Sequence, residues 1–296
     1  MDNRNAGKKP RAIEEKKGFN PLEIVTLLLF LICMIPFVLV IFNSAKTAKE
    51  IIESPVTLPT DWSVLFVNIK AIFTDGTIDY ISAFVDSVTV TVGSLALIVL
   101  TSSMTAWVLV RNKTRWSTVI FMTFVAAMVI PFQVVMFPLV GWFKILGKFL
   151  HINLLGTHAG IYLAYIGFGC SLSVFIFHGF IKNIPVALEE AATIDGCSRP
   201  AVFFKIVFPL LQTVTVTVLI LNGIWIWNDF LLPLLLLGSN GNIQTLPLAV
   251  TAFAGSYVKR WDLILTSALL AMLPIIVLFL FAQKYIIKGM VDGAVK

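Results

Sequence analysis

The sequence predicts an all-α membrane protein: six transmembrane helices, both termini inside, and a helix-turn-helix insert on the inner face. Three observations predict this class. Of 296 residues, 58% are hydrophobic and 13% charged, against about 25% charged in a soluble domain. Windows of roughly 20 residues carry no charge, the helix length that crosses a hydrocarbon core of about 30 Å. The two-residue alternation of a membrane barrel is absent, so these windows must satisfy their own backbone as helices.

The elements follow in chain order. Residues 1–20, MDNRNAGKKPRAIEEKKGFN, are polar and read as a cytoplasmic tail. The apolar run behind them is long for a signal peptide and lacks an A-x-A cleavage site, so it reads as a retained anchor. The transmembrane domain covers 21–296, with spans at about 22–42, 88–110, 117–140, 159–181, 213–237 and 263–286. A loop of about 45 residues follows the first span, and its apolar latter half predicts a helix near the membrane surface. Loops near 141–158 and 238–262 lie on the same outer side, and one substantial inner loop covers about 182–211.

Lysine and arginine set the orientation. With the N-terminus inside, fifteen of the 22 lie inside and seven outside. The outer ones are Lys46, Lys49, Lys70, Lys144, Lys148, Lys259 and Arg260. That asymmetry places both ends inside, and RNKTR between the second and third spans makes the case locally. The net charge of +6 then suits loops beside anionic lipid rather than nucleic acid, for which no binding motif is present.

Enzyme chemistry finds little support. GWFKILGK at 141–148 resembles a phosphate loop, but five residues separate its glycines and Phe149 stands where Ser or Thr must meet magnesium. His151, His158 and His178 form no ligand pattern, and neither do Cys33, Cys170 and Cys197. Neither G-x-S-x-G nor H-E-x-x-H occurs. No catalytic or metal-binding residue is assigned.

Two spans carry polar residues. In LNGIWIWNDFLLPLLLL, Asp229 stands within a span, where a lone carboxylate costs about 2.5–3.5 kcal/mol and must face protein or water. Asn222, Trp225 and Asp229 fall on one helical stripe within about 60°. Asn228 adjoins it, and Pro233 invites a kink because it offers no N–H to the carbonyl of Asp229. The third span carries Gln133 between Pro131 and Pro138. A pathway wall and a plain polar contact between packed helices both fit these residues.

The inner loop, NIPVALEEAATIDGCSRPAVFFKIVFPLL, is closely punctuated. Pro185 opens a helix, and Glu189 and Glu190 suit its early turns. Asp195-Gly196 stops it, Ser198 and Pro200 open a second helix, and Pro209 breaks or bends that one near the membrane. Ala191, Ala192 and Gly196 offer a smooth surface to another protein.

This loop resembles the signature of ATP-binding-cassette importer permeases: E-A-A, three residues, G, nine residues, I-x-L-P. Glu190, Ala191, Ala192, Gly196, Ile206 and Pro209 match, with Phe208 in place of the usual leucine. With IPFQVVMFPL, LLGTHAGIYLAY, WNDFLLPL and the tail KGMVDGAVK, the chain from about residue 80 resembles the MalG-type permease subunits of binding-protein-dependent carbohydrate importers. Asp86-Ser87 departs from the Asn-Ser usual before the second span.

The resemblance implies a type I importer permease fold in a bacterial inner membrane. It implies a second homologous permease, two ATPase subunits that hold ATP and Mg, an extracytoplasmic solute-binding protein and a sugar substrate, with no cofactor on this chain. It makes the insert, including Glu189, Glu190, Ala191, Ala192, Asp195, Gly196, Ile206 and Pro209, the ATPase-coupling element. It directs Tyr257, Lys259 and Arg260 to the binding protein and Gly293 and Lys296 to the ATPase. Gln133, Asn222, Trp225, Asn228 and Asp229 become pathway candidates. An importer permease for a polyamine or phosphonate shares the E-A-A loop, and a secondary transporter would need more intramembrane carboxylates and internal repeats.

Overall fold

A computed structural model describes residues 21–238, 241–254 and 259–294. The described residues form helices and no strand. Helices α1 (Pro21–Ser44), α4 (Tyr80–Arg111), α6 (Phe132–Leu150), α7 (His158–Ile181) and α14 (Trp261–Ala294) are long and apolar enough to cross a membrane. Between α1 and α4 lie the short helices α2 (Ala48–Glu53) and α3 (Val64–Thr74).

The core is the α4–α7 pair. Ile98, Val99, Ala106 and Leu109 of α4 are buried with Ala164, Tyr165, Val174, Phe177 and Ile181 of α7. Small residues permit this approach, as in membrane helix pairs generally. A Cβ on Gly169 would meet Ile98 Cδ1 at 2.6 Å and Asn222 Oδ1 at 2.9 Å, so glycine sets the helix spacing there. Helix α1 packs against α14, while no residue of its most apolar window is buried. Its outer end is tied down by Lys46, which is fully buried and donates to Asn43 Oδ1 (3.2 Å) and the Ser54 carbonyl (2.7 Å).

Two spans expected to be continuous are broken. The stretch 117–140 divides into α5 (Arg115–Ala127) and α6, with Pro131 as the N-cap of α6. Pro131 lacks an N–H and disfavours helical backbone at Ile130, so α5 ends in tighter bonds from Val129 and Ile130 to Ala126 and Ala127. Helix α6 then runs on to Leu150, so most of the outer loop expected at 141–158 is helix. The stretch 213–237 divides into α11 (Gln212–Asn228) and α12 (Leu231–Leu236), separated at Asp229. The outer loop after it holds α13 (Leu246–Val250) and a 3₁₀ turn.

The insert comprises α8 (Val186–Ile194), a turn, α9 (Arg199–Val202), a π-helical turn (Phe203–Val207) and α10 (Phe208–Leu210). A bend of 77° follows, between 199–210 and α11. Pro209 has no N–H for the Lys205 carbonyl and would crowd it. The wider π turn absorbs the conflict, its last bond running from Phe208 N–H to the Phe203 carbonyl.

Candidate functional site

Within α8 the two adjacent glutamates take opposite roles. Glu189 is buried, whereas Glu190 is exposed. Arg111, in the last turn of α4, donates from Nε (2.9 Å) and Nη2 (2.7 Å) to Glu189 Oε1. Trp107 Nε1, one turn earlier, donates to Oε2 at 3.0 Å. Arg111 Nη2 also donates to the Ile184 carbonyl at 3.1 Å, just before α8 begins. Both charged side chains are largely withdrawn from solvent, at 15% and 10% exposure. Removing one member of so enclosed a pair costs on the order of 3–5 kcal/mol. Glu189 thus turns away from the exposed face of α8 and ties the insert to α4.

Ala192 and Ile206 also face inward, packing with Val202, Phe203 and Val207. The opposite face of α8 is bare, with Glu190, Ala191 and Asp195 exposed and Ile194 at 86%. Gly196 has φ +85°, and a Cβ added to it would meet no atom within 4 Å, so backbone conformation rather than space demands glycine there. Its N–H donates to the Thr193 carbonyl and that of Cys197 to the Ala192 carbonyl, which closes α8. Ser198 has N-cap backbone angles, but its hydroxyl makes no capping bond. Pro209 is exposed.

The second site is the break in the fifth span. Asp229 ends α11 in extended conformation and opens α12, its Oδ1 accepting from the N–H groups of Leu231 (3.1 Å) and Leu232 (3.4 Å). The Tyr165 hydroxyl on α7 donates to Oδ2 at 3.2 Å. Trp225 is edge-on to the Tyr165 ring, with centroids 5.5 Å apart. Asn222 Nδ2 donates to Ser173 Oγ at 3.0 Å and to the Val218 carbonyl. The stripe thus faces α7 along its length. Asn222 is sealed in the helix contact, whereas Trp225 and Asn228 are exposed and Asp229 half-buried. Gln133 is exposed on the first turn of α6.

On the outer side, Arg260 pairs with Asp75 (3.2 Å) and Asp262 (3.3 Å), tying the start of α14 to the α3–α4 connection. A hydrogen bond from Thr77, and to a lesser extent the charge of Arg260, hold the Asp75 carboxyl below its ordinary range against the opposing effect of burial. Lys259 lies 5.5 Å from the Trp261 ring. Asp86 and Ser87 accept from the N–H groups of Gln244 (2.9 Å) and Leu246 (2.7 Å), anchoring the segment that leads into α13. Tyr257 and Lys296 lie outside the described residues, and for Gly293 only its place in α14 is described.

Residues 98–292 match the family described as "Binding-protein-dependent transport system inner membrane component". The chain belongs to this family. It is 39% identical, over 93% of its length and 96% of the relative's, to the probable starch degradation products transport system permease protein AmyC of Thermoanaerobacterium thermosulfurigenes. It is 33% identical to the melibiose/raffinose/stachyose import permease protein MelC of Bacillus subtilis, over 93% and 97% of the two chains. Its fold matches that of a bacterial ABC transporter involved in alginate import, with TM-score 0.72 and 19% identity over 94% and 99% of the chains. This inner membrane component is thus the membrane part of a binding-protein-dependent transport system, whose fold is that of an importer permease.

Sequence reasoning misses the partners inside the component. In the sequence Arg111 is only an inner positive charge, and Trp107, Tyr165 and Ser173 are only span residues. A tryptophan N–H, a tyrosine hydroxyl and a serine within or at the end of otherwise apolar spans each need a partner, which is the signal that could have found them.

Proposed function

We propose that this permease component moves a sugar or oligosaccharide inward by alternating access. The ATP and Mg would sit on two partner ATPase subunits, and this chain would bind no cofactor. A second homologous permease would complete the pathway, and an extracytoplasmic binding protein would deliver the solute. The substrates for which the relatives are named, starch degradation products and melibiose, raffinose or stachyose, support the sugar reading.

The observation that carries the reading is the insert. Its outer face, Glu190, Ala191, Ile194 and Asp195, is free, while Glu189 is locked to α4 through Arg111. A movement imposed on the free face must pass to α4, and from α4 to α7, its main packing partner. Closure of the ATPase dimer would push the insert and open the bundle outward, and hydrolysis would reset it. The exposed Trp225 and Asn228 beside the break at Asp229 are candidates for the pathway. Here the lever carries force and the break supplies a place where the span can bend.

Gly196→Pro tests the lever. The change removes the N–H that closes α8 and forbids φ +85°. In the reconstituted complex, ATPase subunits should still co-purify, while solute uptake falls at least about tenfold. Normal uptake would sink the proposal. Screening the cognate binding protein against oligosaccharides, polyamines and phosphonates separates the sugar reading from other solutes.

A further inference from the structure

A groove of about 1570 Å³ opens between the insert and the α4–α5 connection. Its rim is cationic: Arg111, Lys113, Arg115, Lys182 and Arg199 line it, against the carboxylates of Glu189 and Glu190. Glu189 is already neutralised by Arg111. Lys113, Arg115, Lys182 and Arg199 are exposed, and among the described residues none of them makes a salt bridge within 4 Å. The first turn of the 13-residue helix α5, with Thr114 as its cap, also faces the groove and adds the positive end of its dipole.

The floor has the opposite character. Leu109 and Val110 from the end of α4 and Phe121 and Met122 from α5 line it. Phe121 stacks on His178 with centroids 3.8 Å apart, closing the floor against α7. Trp116, beside the rim, is 75% exposed, the placement of an interfacial aromatic anchor. A free anion would use the rim and leave the floor bare. An amphiphile with an anionic head uses both.

We propose that this groove binds an anionic phospholipid of the inner leaflet, its phosphate on Lys113, Arg115 and Lys182 and its acyl chain along Phe121 and Met122. The lipid touches α5 on one wall and α8, through Val186 and Thr193, on the other. It therefore steadies the insert beside the Glu189–Arg111 pair, which lines the same groove. This inference needs only the membrane placement of the chain and is independent of the solute carried.

The test uses the assembled transporter in nanodiscs containing phosphatidylglycerol and phosphatidylcholine. A photoactivatable phosphatidylglycerol should label residues 109–122 and 182–199. Labelling that falls only elsewhere overturns the site, and this readout needs no variant. The variant Lys113→Gln/Arg115→Gln/Lys182→Gln should lose preferential retention of phosphatidylglycerol about tenfold, since each cation near an anionic surface contributes to binding. The outer pair Lys144→Gln/Lys148→Gln should lose none at this site. Unchanged retention in the triple variant contradicts the proposal. So does displacement of the lipid by inorganic phosphate, which would show a free-anion site.

Discussion

Two buried or half-buried carboxylates, Glu189 in the insert and Asp229 in the fifth span, solve the same problem with different partners. Each sits where a helix begins or ends, and each is held by a side chain from another helix. Glu189 meets a full charge, the Arg111 guanidinium at 2.7 Å, on a cytoplasmic helix end. Asp229 meets only neutral donors, the Tyr165 hydroxyl and two backbone N–H groups. The lesson is about stiffness. A charge-assisted contact in which two guanidinium N–H groups share Glu189 Oε1 fixes the orientation of α8, whereas hydrogen bonds from uncharged donors at a helix break hold Asp229 while leaving it cheaper to rearrange. The proposed lever needs the first, and a span that bends at its break needs the second.

Glu189→Ala should have the largest effect. It leaves the Arg111 guanidinium and the Trp107 N–H enclosed without their partner, which costs about 3–5 kcal/mol. The thermal midpoint of the complex should drop, and uptake should fall more than about tenfold. Tyr165→Phe is the matched test at the break. It removes one bond from an uncharged donor to Asp229 and should cost about 1–3 kcal/mol, with uptake reduced and ATPase subunits still bound. Should Tyr165→Phe prove as damaging as Glu189→Ala, the distinction between the stiff insert and the bending span fails. Arg260→Gln completes the series at the outer surface. Arg260 is 42% exposed, so loss of its pairs with Asp75 and Asp262 should cost less than about 1 kcal/mol. Salt titration of the unfolding midpoint checks that value.

Much of the architecture was legible because hydropathy and punctuation are local. The apolar windows marked α1, α4, α7 and α14, and Pro185 and Gly196 marked the ends of α8. Pro233 was legible as a bend but the break at Asp229 was not, because whether a proline kinks a helix or goes with its ending depends on packing around the freed carbonyls. The inward turn of Glu189 was hidden for a related reason. EE is symmetrical in sequence, and only the approach of Arg111, 78 residues earlier, decides which carboxylate is buried. The polar stripe of Asn222, Trp225 and Asp229 was visible from helical spacing. That it faces Ser173 and Tyr165 on α7 depended on tertiary contact.

The most direct measurement of the lever is a charge swap in the reconstituted transporter, reading solute uptake per ATP hydrolysed. Arg111→Glu and Glu189→Arg each place like charges together, and each should lower that ratio at least about tenfold. The double variant Arg111→Glu/Glu189→Arg restores an opposite pair in the same place and should recover a substantial part of it. Single variants that transport normally, or a double variant no better than either single one, would contradict a rigid insert driven through this contact.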